Sequence, residues 1–173
     1  MIEQVTLKVK RLDECAVIPS AAHYGDIGID VTAISMEYDA EKDMYLYHTG
    51  LAFEAEYGIG LFAYLRSSNM RTEANLCNHV GVIDCAIYRG ETRWCFKNRT
   101  SLEVIAFMEA YKRGISDVAA VKAELDPMKY APYLPGDRIG QLILMRHLMP
   151  DIIECDELSP SIRGENGFGS TGR

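Results

Sequence analysis

The stretch NHVGVIDCAIYRGE, residues 78–91, sets Asp84 directly behind the apolar pair Val82-Ile83. A carboxylate at the edge of a buried strand can take a proton from water or accept a hydroxyl. It can equally cap a turn. LRSSN, residues 65–69, puts Arg66, Ser67 and Ser68 after an apolar run. A guanidinium brings charge and a fork of donors, and serine adds hydroxyl and backbone donors, which suits phosphate oxygens; a plain polar loop has the same composition. YGDIGIDVTA (24–33) holds Asp26 and Asp30 around Gly28 beside an expected strand, and GDRIGQLIL (136–144) holds Arg138 and Gln141 at the head of another. Arg138 is thus a candidate ion-pair partner of Asp26 or Asp30. The last stretch, RGENGFGSTGR (163–173), combines Arg163, Phe168, Ser170 and Thr171 with four glycines. Glycine-dense backbone pays a high entropic cost for helix or strand. This stretch reads as an arm that is flexible until a ligand orders it.

The elements that must position these groups are mostly strands. Val5–Lys10, Met44–Tyr47, Leu51–Glu54, Gly60–Leu65, Thr92–Lys97 and Arg138–Arg146 show period-two apolar spacing, with Gly, Asn or Asp between them. That pattern predicts a mainly β domain, sandwich or barrel. One region breaks it. Thr100-Ser-Leu-Glu103 has capping-box spacing, and Val104, Ile105, Phe107, Met108 and Tyr111 share one helical face that runs to Gly114. A second helix is expected from a Ser116 cap through Val118, Val121 and Leu125 to Pro127. Residues 98–133 therefore read as a helical hairpin inserted in a β domain.

At 173 residues, 48% of them hydrophobic, the chain can build one sizeable core that buries ~70% of the unfolded surface. A formal charge of -7, with no basic run, argues against an electrostatic grip on polynucleotide. A small phosphorylated ligand needs only a few cations. Five scattered cysteines without a C-x-x-C pair indicate neither a zinc site nor a disulfide framework. The start, MIEQVTLKVK, alternates like a strand and lacks the apolar core of a signal peptide, so a reduced cytoplasmic protein is expected, or one in the host cytoplasm if the source is viral.

Taken in order, these five stretches resemble the five motifs of the trimeric dUTPase family, the deoxyuridine triphosphate nucleotidohydrolases. The resemblance covers residues 19–97 and 134–173, and N-x-x-G-V-I-D, D-R-I-x-Q-L and R-G-x-x-G-F-G-S-T-G are its most specific parts. It implies a jelly-roll β-barrel over residues 1–173 as a single domain. It further implies a homotrimer with sites at subunit boundaries, and a C-terminal arm (159–173) that closes over a neighbour's nucleotide. The activity implied is Mg²⁺-assisted hydrolysis of dUTP to dUMP and pyrophosphate, which keeps uracil out of DNA. By this resemblance Asp84, Ser67 and Gln141 carry catalysis: Asp84 orients the attacking water, Ser67 lies near the bridging oxygen and Gln141 is on the phosphate side. Asn78 reads uracil, Phe168 stacks on it, and Arg66, Ser68, Arg163, Gly169, Ser170 and Thr171 serve the phosphates. Gly81, Ile83, Ile87 and Tyr88 line the nucleoside pocket. Asp26, Asp30 and Arg138 support the site, and the Mg²⁺ is expected on substrate phosphates and water, with no protein ligand.

The pattern slips in one place. Three residues, Cys85, Ala86 and Ile87, separate Asp84 from Tyr88, where the family usually has two. An extra residue in a strand is expected to make a bulge and reverse the faces beyond it, which leaves both Tyr88 and Ile87 as candidates for the wall under deoxyribose. R-S-S-x-x-R also resembles dCTP deaminase, which shares the fold and needs a glutamate shortly after the third motif's glycine. The matching positions here are Trp94, Cys95 and Phe96, so deamination, or a bifunctional deaminase, is the weaker alternative. A regulatory, non-catalytic nucleotide-binding protein is another.

Overall fold

The computed structural model describes residues 4–162, 164 and 165. Strands form where apolar side chains alternate. In MYLYH, Tyr45 and Tyr47 are fully buried while their neighbours are only half-buried, the period of two that lets one face of a sheet pack and the other meet solvent. Among the described residues the strands are β1 (Leu7–Arg11), β2 (Ile29–Thr32), β3 (Ser35–Asp39), β4 (Met44–His48), β5 (Leu51–Ala55), β6 (Ile59–Tyr64), β7 (Ala74–Leu76), β8 (Gly81–Ile83), β9 (Arg93–Asn98) and β10 (Arg138–Arg146). All pairings are antiparallel. One four-stranded sheet has the order β2-β10-β6-β8, a second β3-β4-β9-β7, and β1 pairs with β5. Val31, Tyr47, Leu51, Leu61, Trp94, Phe96 and Leu142, drawn from both large sheets and β5, share one core. The protein is mainly β, as its alternating spacing predicts.

The helical hairpin lies between β9 and β10. Helix α1 spans Leu102–Arg113 and α2 spans Val118–Glu124, followed by a 3₁₀ turn at Pro127–Tyr130. The caps lie one residue later than the spacing predicts. Ser101, not Thr100, accepts from the Val104 amide, and Asp117, not Ser116, accepts from Ala120. In both places the later side chain meets an otherwise unpaired amide of the first turn. The buried face of α1 also differs from the expected one. Leu102, Ala106 and Ala110 are buried, and Val104, Phe107, Met108 and Tyr111 are exposed. Small alanines let the short α2 approach closely with buried Val121, and that close fit outweighs the larger apolar stripe. Hydrogen bonds tie the hairpin to the barrel: Tyr45 Oη donates to Pro127 O, Tyr47 Oη to Tyr133 O, and Tyr133 Oη to Asn69 Oδ1.

Candidate functional site

Two groups of the predicted residues assemble, at different places on the β2-β10-β6-β8 sheet. The first lies where β6 leaves the sheet. Asp30 on β2 accepts from Arg66 Nε at 2.7 Å through one oxygen and from Arg138 Nη1 at 2.8 Å through the other. Arg66 Nη1 also donates to Ser68 Oγ at 3.2 Å. Asp30 therefore holds two guanidiniums side by side, with Ser67 exposed at the start of the next 3₁₀ turn. A register shift in β10 between Arg138 and Gly140 is the kind of bulge that re-aims a side chain, and here Arg138 meets Asp30. Gln141 Nε2 donates to Leu65 O at 2.8 Å, and a Cβ on Gly28 would fall 2.1 Å from Gln141 Oε1. The Gln141 amide thus occupies the space that a side chain at position 28 would take. Asp26 is apart from this group and caps the His23 amide.

The second group follows β8. A cavity of about 370 Å³ is lined by Asn78, Gly81, Ile83, Asp84 and Tyr88, with Glu91 on its wall. Asn78 sits in the tight β7–β8 turn, where His79 takes φ of 59° and the Val80 amide donates to Asn78 O. Gly81 is buried against Ala63, which a Cβ would approach to 3.0 Å. Asp84 is exposed. The strand before it is an edge strand with Val82 66% exposed, not the buried strand that the apolar pair suggests.

The extra residue does not create the expected bulge. Strand β8 stops at Ile83, and the chain closes a turn in which the Ile87 and Tyr88 amides both donate to Asp84 O, at 2.9 and 2.7 Å. A turn absorbs a residue without reversing the faces of a strand. Tyr88 consequently lines the cavity that holds Asn78, whereas Ile87 lines an adjoining hollow with Phe62 and Met149, and Val82, Ile83 and Asp84 border both. Arg163, Phe168, Gly169, Ser170 and Thr171 lie outside the described residues.

Glu91 has no assigned role in the sequence reading. Its Oε1 accepts from the Thr49 and Gly50 amides at 3.0 and 2.8 Å, and its Oε2 meets His48 Nδ1 at 2.9 Å. Burial pushes the carboxyl up, but these bonds from His48 and the two amides outweigh it and hold it below its ordinary 4.5. The partners lie more than forty positions away, so the only local signal is an acidic residue after Arg89-Gly90.

No family model matches the chain. The deoxyuridine 5'-triphosphate nucleotidohydrolase of Corynebacterium glutamicum is 30% identical over 174 residues, covering 100% of this chain and 99% of the relative. This chain belongs to the dUTPase family. The dUTPase relative from Trichodesmium erythraeum is 31% identical, across 96% of this chain and 98% of its own length. Among solved structures, the Staphylococcus bacteriophage 80alpha dUTPase with dUPNHPP superposes at a TM-score of 0.65 with 24% identity, over 97% of this chain and 99% of the other. The dUTPase from phage phi11 of S. aureus, whose species-specific insert was visualised, gives 0.60 with 20% identity, over 88% and 97%. At these identities the structures speak for the dUTPase fold. Against that family's motifs, the first, second and fourth converge at Asp30, Arg66 and Gln141, and the third forms the cavity beyond β8.

Proposed function

We propose that this enzyme hydrolyses dUTP to dUMP and pyrophosphate, with the nucleoside in the cavity of Asn78, Gly81, Asp84 and Tyr88. The observation that carries the reading is the gathering of an amide, a carboxylate and a phenol, from Asn78, Asp84 and Tyr88, around one cavity that Gly81 leaves open. Asn78 has the donor and the acceptor that an imide edge requires. Asp84 takes the proton of a water whose oxygen bonds to the α-phosphorus, and the bond from that phosphorus to the bridging oxygen breaks to release pyrophosphate. Arg66, Ser67 and Gln141 stabilise charge on the phosphates, in keeping with the dominance of electrostatic stabilisation in such transfers. The arginine-rich half-site suits anions and not cations. Among the described residues no cluster of three acidic, His or Cys side chains could hold a metal ion. Mg²⁺ keeps much of its water and commonly sits on substrate phosphates, so the donor set fits an ion delivered with the triphosphate. Bound there, it would neutralise phosphate charge.

In this reading the active enzyme is a homotrimer, as the family resemblance implies, and the distance between the two half-sites of one chain supports a site shared between copies. Ile83, the last residue of β8, pairs with Leu61, so Asp84, one residue on, lies near Gly60, six residues from Arg66 along the chain. That is roughly 20 Å at strand spacing, too far for both to act on one phosphate through hydrogen bonds of about 3 Å. A neighbour's cavity must meet this chain's arginines. Leu148, Met149, Ile152, Ile153 and Leu158, all at least 76% exposed, form an apolar segment after β10 that a neighbouring copy would cover.

Both oxygens of Glu91 are engaged by His48, Thr49 and Gly50. Glu91, which lines the cavity together with Asp84, is thus committed to structure and is not a free proton shuttle for deamination. The test is incubation with Mg²⁺ and dUTP, dCTP or UTP separately, alongside Asp84→Asn. We expect dUMP and pyrophosphate from dUTP alone, with kcat falling roughly 10²–10⁴-fold in the variant while nucleotide binding persists. Release of dUTP or dUMP from dCTP, or an unaffected variant, would overturn the reading.

A further inference from the structure

The turn that absorbs the extra residue presents three backbone carbonyls to one side chain, and the first of them, Cys85 O, also accepts from the Ala55 amide of β5. Arg89 Nη1 donates to Cys85 O and to Tyr88 O, both at 2.9 Å, and Nη2 donates to Ala86 O at 3.0 Å. The same guanidinium stands 3.4 Å from Glu54 Oε2 on β5. At the start of the turn, Cys85 is fully buried, with its thiol on Ile59 O. The turn is thus pinned in the core at one end and clamped by Arg89 from outside. Tyr88 leaves it with its hydroxyl on Glu91 O at 3.1 Å, packed over Gly90, where a Cβ would come within 2.3 Å of the Tyr88 hydroxyl.

We propose that Arg89 is a specificity-positioning residue, which fixes Tyr88 in the cavity wall and so sets the preference for a 2′-deoxyribose over a ribose triphosphate. This rests on the dUTP-hydrolase reading above. A wall rejects one extra hydroxyl only if it cannot retreat. A chain with a longer loop between Asp84 and Tyr88 has more freedom to lose there, and a planar fork holds three carbonyls from two nitrogens in a fixed geometry, which the single, freely rotating nitrogen of an ammonium does not reproduce.

The experiment measures kcat and KM for dUTP and UTP in the wild type, Arg89→Ala, Arg89→Lys, Tyr88→Ala and the Tyr88→Ala/Arg89→Ala pair. We expect Arg89→Ala to lower the dUTP:UTP ratio of kcat/KM about tenfold, through KM more than kcat. Arg89→Lys should keep the charge without restoring the ratio. In the Tyr88→Ala background, removing Arg89 should change the ratio no further, since residues acting through one wall are not additive. An unchanged ratio in folded Arg89→Ala, rescue by lysine, or full additivity with Tyr88→Ala would each overturn the proposal. Should Arg89→Ala fail to fold, Glu54→Gln, which loosens the clamp from β5, carries the test with Arg89→Lys, and no change in either overturns it. A wild type that hydrolyses no dUTP sinks the underlying function, whereas one that hydrolyses dUTP and UTP alike sinks only the role given to Tyr88 and Arg89.

Discussion

Glu91 shows how a single residue couples the cavity to the fold. It binds the Thr49 and Gly50 amides at the β4–β5 hairpin and His48 on β4, so it fastens the second large sheet to the cavity wall. Its folded carboxyl lies below the ordinary value, which means the unfolded chain binds the proton more readily. The stabilisation is therefore fully present above about pH 4.5 and is lost as pH falls through the lower folded value. Glu91→Gln keeps an oxygen for the amides and loses the carboxylate that faces His48. We expect it to cost about 1–2 kcal/mol near neutrality, with the difference from wild type shrinking below pH 4.5. Thermal melts of both proteins at a series of pH values check this, and a constant difference down to pH 3 would refute it.

Strand β10 carries both the site and the core at the scale of an element. Its register shift turns Arg138 to Asp30, and two positions later Gly140 lets the Trp94 indole pack against the strand. A Cβ at Gly140 would stand 2.4 Å from Trp94 Nε1 and 3.0 Å from the backbone oxygen of Tyr64. The indole is almost fully buried and the Tyr64 oxygen is backbone, so neither yields cheaply. Gly140→Ala should destabilise by about 1–3 kcal/mol, read by denaturant unfolding through the fluorescence of Trp94, the only tryptophan in the sequence. The salt bridges Arg113–Glu124 and Lys122–Glu103 that link α1 to α2 have side chains 39% to 65% exposed and add little by comparison. The alanine face does that work.

The proposed division of the site between subunits gives a prediction at the scale of the whole molecule. Asp84→Asn and Arg66→Ala damage different half-sites, so each variant alone should be nearly inactive. Unfolded together and refolded as mixed trimers, they should recover a measurable fraction of wild-type turnover, because some boundaries then join an intact cavity to intact arginines. Failure to complement, with mixed trimers verified by mass, would place both half-sites in one chain and contradict the ~20 Å separation along β6.

Much of this protein is written locally. Period-two spacing yields β4, β5, β6 and β10 nearly residue for residue, and the motif order identifies the family, since strand alternation and motif spacing are properties of neighbouring residues. Short strands such as β7 and β8, three residues each, carry too few alternations to be read this way. The buried face of α1 escaped the helical pattern because the close approach of α2, and not hydrophobic size, selected it. Only the tertiary structure decided that the extra residue before Tyr88 folds into a turn and not a bulge, because the choice depends on a buried Cys85 and on Arg89 reaching back to three carbonyls. It likewise separated Asp84 from Arg66. Both lie beside apolar strands in sequence, but antiparallel pairing of β6 with β8 sends them to opposite ends of the sheet.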